Sequence, residues 1–158
     1  MSLVIIITSK IIGKTRFYSE FGQNGAYKMI PTYRAMMLKG CKKRSFKVTR
    51  DTYPNVFQNA PSIECPPNFP QTPYRGWIRT DNGRGPRIQL YEPGFADRYT
   101  LKGVGDRDRI AIQIHAGPGK STGCFMVGGG KKGYRSFLAA LETFTAPNEE
   151  LAVHVHAR

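Results

Sequence analysis

Short runs of alternating or β-branched residues, cut apart by Gly, Pro, Asn and Asp, recur along these 158 residues and drive the chain toward sheet. The runs are Leu3–Ser9, Thr15–Glu20, Ser45–Arg50, Gly76–Thr80, Arg87–Tyr91, Arg109–His115, Cys124–Val127 and Leu151–Ala157. Turn residues such as Asp81-Asn82-Gly83 separate them. One helix breaks the pattern. Over Arg135–Thr145 the side chains Phe137, Leu138, Leu141 and Phe144 fall on one face at helical spacing. Ser136 or the preceding glycines supply its start, and Pro147 and Asn148 end it. The expectation is a single domain over residues 1–158. Its class is mainly β, a sandwich or partly closed barrel, with one helix in the C-terminal region.

Residues 53–74 obey neither period. Pro54, Pro61, Pro66, Pro67, Pro70 and Pro73 argue against any regular element there. Two readings stand: a rim or lid beside a cleft, or an ordered surface Ω-loop.

Charge constrains the partners. The chain carries 24 Lys+Arg against 11 Asp+Glu, a net charge of +13. Residues 1–80 hold 13 basic and 3 acidic side chains, whereas residues 81–158 hold 11 and 8. Lys39, Lys42, Lys43, Arg44, Lys47 and Arg50 form the densest cluster. Such a surface attracts polyanions or serves as a solvated basic face. No run is long enough to span a membrane as a helix. Leu3–Thr8 is too short for a signal-peptide core and no basic segment precedes it, so an ordinary export signal is not expected. Cys41, Cys65 and Cys124 lack CxxC spacing. Either Cys41 pairs with Cys65, or all three thiols are reduced.

The chemistry concentrates in Ile112–Cys124. On Arg109–His115 the isoleucines 110, 112 and 114 share one face, while Ala111, Gln113 and His115 share the other. His115 therefore points away from the core at a strand end. Gly117, Pro118 and Gly119 can turn the chain sharply, so that the next strand returns beside the first and Cys124 can face His115 across the pair. An imidazole beside a thiol yields a thiolate–imidazolium pair, the activated state of a cysteine nucleophile. Ser121 and Thr122 add hydroxyls, and the turn adds N–H groups, for an oxyanion. The competing reading is a structural cysteine beside a glycine-rich hairpin.

Other groups are candidates for substrate contact. Arg87, Arg98 and Tyr99, with Tyr91, precede the histidine strand and could grip a carboxylate. Tyr74, Arg75 and Trp77 form an aromatic-basic cluster suited to stacking. His115, His154 and His156 are a conceivable zinc set, but nothing in the sequence brings the last strand beside His115, so no metal or other cofactor is expected. Gly128-Gly129-Gly130-Lys131-Lys132-Gly133 lacks the spacing of a phosphate-binding loop.

The order His115-x-Gly117, then Ser121-x-Gly123-Cys124, resembles the active-site signature of the YkuD-type L,D-transpeptidases, and more closely their short phage and secreted-effector relatives. The apolar Phe125-Met126-Val127, the glycine turn, the helix and the last strand follow in the same order, so the likeness covers about Arg109–Arg158. The resemblance implies that Cys124 is the nucleophile and His115 the base, with Gly117, Ser121 and Gly123 shaping the turn and oxyanion site. It implies peptidoglycan stem peptides as substrate, attacked at the carbonyl after meso-diaminopimelate. The acyl-enzyme then passes to an amine or to water. It also implies action in the periplasm or cell wall after delivery by a secretion system or phage, with a cognate immunity protein or a phage component as a further partner. Two positions depart from the signature. Thr122 stands where a second histidine is usual, and Met126 where an arginine is usual. Hydrolysis or exchange therefore has as much weight as cross-linking. The alternative reading is a non-catalytic basic β domain that binds nucleic acid or an anionic wall polymer.

Overall fold

The computed structural model describes all residues except 1, 20–24, 82, 84, 103–108, 111–112, 117–122 and 147. Eight strands close a barrel in the order β1 (Val4–Tyr18), β10 (Leu151–Val155), β4 (Tyr74–Arg79), β5 (Arg87–Tyr91), β8 (Gln113–Ala116), β9 (Phe125–Val127), β3 (Lys42–Thr49) and β2 (Tyr27–Lys39). A separate two-stranded piece pairs β6 (Thr100–Leu101) with β7 (Arg109–Ile110). Among the described residues there are two helices, α1 (Tyr53–Phe57) and α2 (Gly130–Phe144). The mainly β expectation holds, and of its two architectures the barrel is the one formed.

Alternation fills the interior. Ile5 and Ile7 of β1 stand opposite Met37 and Ala35 of β2 and opposite Val153 and Val155 of β10. The same inward row continues through Ile88 and Leu90 on β5, Ile114 on β8, Phe125 and Val127 on β9, and Val48 on β3, all essentially unexposed. Gly76 completes the row on β4. A Cβ there would lie 2.9 Å from the Leu151 side chain, so the missing side chain is the space that Leu151 fills. Helix α2 adds Phe137, Leu141 and Phe144 to this core, with Leu138 half-buried beside them. Those are the four residues that helical spacing singles out.

Several elements differ from the sequence-based expectation. The two strands expected at 3–9 and 15–20 are one long strand. Register shifts between Ile7 and Ile11 and between Ile11 and Gly13 let β1 bend without ending. Strand β2 is absent from the sequence reading. Its Lys, Met, Ala and Leu residues favour helix, and Pro31 argues against strand. Pro31 is accommodated because the β2–β3 ladder ends at Thr32↔Thr49, one residue before it. The run expected at Arg109–His115 is divided between β7, in the small sheet, and β8, in the barrel. Helix α2 begins at Gly130, five residues before the expected start. Its first turn is glycine for a steric reason: a Cβ at Gly133 would sit 2.2 Å from the Gly128 carbonyl oxygen.

The proline-rich segment is ordered and contains a helix. Pro54 occupies the first turn of α1, where a missing N–H costs nothing. Asn55 closes a capping box with Thr52. Further along, Asn68 behaves like a strand residue on β10. It donates to Val153 O at 3.0 Å and accepts from Val155 N at 2.6 Å. Tyr74 Oη donates to Pro66 O at 2.6 Å. Arg158 ties the segment down through Asp51 and Glu64. These anchors fit an ordered surface loop, not a hinged lid. No disulfide joins Cys41 to Cys65: Cys41 is exposed, Cys65 buried and Cys124 half-buried.

Candidate active site

Each outward-facing position on β4, β5, β8 and β9 can be assigned from the register. Trp77 faces Gln89, and Gln89 faces Gln113. Arg79 faces Arg87, and His115 faces Met126. The β5–β8 register, carried one residue further, sets Arg87 opposite His115. The β8–β9 register, carried one residue back from Ile114↔Phe125, sets Cys124 beside Gln113. Two neighbouring rows result: Trp77, Gln89, Gln113, Cys124, and Arg79, Arg87, His115, Met126. Both lie on the face opposite the apolar interior.

His115 on β8 and Cys124, one residue before β9, are thus diagonal neighbours. A strand spacing of about 4.8 Å and a rise of about 3.3 Å per residue put their Cα atoms about 8 Å apart. Both are half-buried, and both are engaged in contacts. Strand β9 lies beside β8 as the turn residues predict, but in parallel and not as a hairpin. Gly123 reaches Cys124 with φ of 134°, a conformation in the region that favours glycine. Gly117, Ser121 and Thr122, assigned to the turn and oxyanion site, lie outside the described residues.

A polar chain leads across this face to the thiol side. Asp81 accepts two bonds from Arg79, at 2.6 and 3.0 Å. Arg79 Nη1 donates to Gln89 Oε1 at 3.0 Å, and Gln113 Nε2 donates to the same oxygen at 3.0 Å. Gln89 and Gln113 are buried, so these bonds replace lost water and fix both amides. The Arg79 bonds hold the Asp81 carboxyl below its usual range. Sequence reading missed this chain. The signal was present in the outward parity of Gln89 and Gln113, which set two amides where a surface strand would carry charges.

The expected substrate contacts divide. Arg87 is 2% exposed, and its guanidinium is bonded to the Arg79, Asp81 and Gly85 carbonyls and to the Asp81 carboxylate. Its bonds hold the β4–β5 turn. Arg98 and Tyr99 are exposed and gather around Trp77. The Arg98 guanidinium stacks 4.3 Å from the Trp77 ring, and Tyr99 meets that ring edge-on at 6.1 Å. Arg79 lies 5.0 Å from the Tyr99 ring. Trp77 Nε1 donates to Arg98 O at 2.9 Å. Trp77 stands three strands from Cys124, about 14 Å across the sheet. Tyr74 and Arg75, grouped with Trp77 by sequence, do not join this cluster: Tyr74 faces the core, and Arg75 pairs with Glu150.

On the other side of the thiol, Met126 is buried against Phe17 and Ile30, with Tyr53, Val56 and Phe57 of α1 packed on the same group. Met126 is therefore part of a hydrophobic contact that seats α1 beside the His115 row. His154 is on β10 and His156 directly follows it; β10 is separated from β8 by β4 and β5, and both histidines pack on Phe69. The three histidines are not brought together. Among the described residues no helix is long and apolar enough to cross a membrane. Comparison with protein-family models, curated proteins and solved structures finds no match to this chain.

Proposed function

We propose that this protein is a cysteine acyl-transfer enzyme that acts on peptide carbonyls, with peptidoglycan stem peptides as its substrate and the cell wall as its place of action. The observation that carries the reading is that β8, which bears His115, lies parallel to β9, which Cys124 directly precedes, so that the register sets the two diagonally at the end of a fixed polar row. His115 takes the thiol proton, and the thiolate attacks the carbonyl carbon. The C–N bond then breaks, and the departing amine leaves with the proton held by the imidazolium. Water or a second amine adds to the thioester and returns the thiol. The substrate class rests on the L,D-transpeptidase resemblance. The exposed Arg98 and Tyr99 supply a guanidinium and a hydroxyl for a stem-peptide carboxylate.

The test is mass spectrometry of purified muropeptides after incubation with wild type and Cys124→Ala. Loss of terminal D-alanine from tetrapeptide stems, or its exchange for added D-methionine, is expected with wild type alone. Tetrapeptides left intact by wild type would remove stem peptides as the substrate.

A further inference from the structure

The barrel is least complete where β3 meets β9. Among the described residues their pairing is Val48↔Val127, with one further bond, Gly128 N–H to Lys47 O at 2.9 Å. Since Lys47 directs its carbonyl away from β2, alternation along the antiparallel ladder directs the N–H and C=O of Ser45 and Lys43 the same way. Lys42 to Ser45 are all exposed. Strand β3 thus presents an open hydrogen-bonding edge.

That edge forms one wall of a groove of about 600 Å³ whose other wall is α2. Phe46, Phe137 and Ala140 make an apolar floor, and Arg44, Lys47 and Lys132 stand on the walls. Among the described residues no Asp or Glu lines it. Lys39, on β2, ties to the end of α2 by bonding the Phe144 carbonyl and pairing with Glu149 at 3.6 Å. An open edge, a narrow apolar floor and basic walls together fit an extended chain that has its own backbone ladder, alternate apolar side chains and negative charge. A polynucleotide has no amide ladder to pair with the edge.

We infer that the β3–α2 groove binds an extended acidic peptide segment of a partner protein as an added strand on the Lys43–Ser45 edge. Its apolar side chains rest on Phe46 and Phe137, and its carboxylates meet Arg44, Lys47 and Lys132. The site is separate from Cys124 and does not depend on the acyl-transfer reading.

The probe is a fluorescein-labelled octapeptide of alternating glutamate and valine, followed by fluorescence anisotropy at low salt. Saturable binding by wild type is expected, with none for the lysine–valine counterpart. Ser45→Pro removes an outward N–H without touching the β2 ladder, and it should weaken binding at least tenfold. Lys132→Glu, at an exposed helix position that leaves the strand intact, should do the same. Absence of peptide binding by wild type would overturn the inference. So would affinity unchanged in both variants, or an oligothymidylate that binds more tightly than the peptide and is indifferent to Ser45→Pro.

Discussion

The barrel has two parallel joints, and they are built for different ends. At β1–β10, Val4 to Ile7 lie against Ala152 to Val155, and Ile5, Ile7, Val153 and Val155 are fully buried. That joint closes the barrel with hydrocarbon. At β8–β9, among the described residues, Ile114 to Ala116 lie against Phe125 to Val127. Its inward side is equally apolar, but its outward side carries His115, Cys124 and the buried Gln113. The same backbone pattern thus serves cohesion in one place and holds polar groups in fixed register in the other. Substitutions should separate stability from chemistry according to the joint they touch.

The largest effect is expected at the second joint. Cys124→Ala should lower stem-peptide turnover at least about 10³-fold, since nothing replaces the nucleophile, while leaving the unfolding midpoint almost unchanged. Mass spectrometry of products and a urea titration check the two halves. Ile5→Ala should invert that result. It empties space in the core between β2 and β10 and should cost about 2–5 kcal/mol in urea unfolding, with turnover per folded molecule preserved. An Ile5→Ala protein that remains folded but inactive would break the division between joints.

Gly133→Ala should fall between them. Its Cβ would press on the Gly128 carbonyl, which directly continues β9, so a loss of about 1–3 kcal/mol is expected. Because Cys124 directly precedes β9, turnover should drop further than in a core variant of equal stability. Parallel urea and activity measurements read the difference. The smallest effect concerns pH. Asp81 has a folded-state pKa below the ordinary 3.8, mainly through its Arg79 bonds, so its contribution is present above that value and lost as pH falls through the folded one. Asp81→Asn should lower the melting temperature slightly at pH 6 and flatten its fall between pH 4 and pH 2.5, as followed by circular dichroism. An identical pH profile in the variant would remove Asp81 from the polar chain.

The mainly β class, five of the barrel strands near their expected limits and the buried face of α2 were legible because alternation and helical spacing report burial directly. Strand β2 was not, because its composition favours helix and its stability comes from partners distant in sequence. The start of α2 was hidden for the opposite reason. Glycine is a poor helix former, yet Gly133 is required by the closeness of Gly128. In the site, the outward direction of His115 followed from the isoleucines beside it. That β8 and β9 run parallel did not follow, because a short glycine-rich link reads as a hairpin. Nor did the Arg79–Gln89–Gln113 chain, whose members belong to three strands.

The central claim is that His115 activates Cys124 across the β8–β9 joint. The most direct measurement is the rate of iodoacetamide modification at pH 6, resolved by peptide mass spectrometry, in wild type and His115→Gln. The exposed Cys41 serves as the internal reference. The account predicts that Cys124 reacts faster than Cys41 in wild type and loses at least tenfold in rate in His115→Gln, with Cys41 unchanged. A Cys124 that reacts no faster than Cys41, at a rate indifferent to His115, would contradict it.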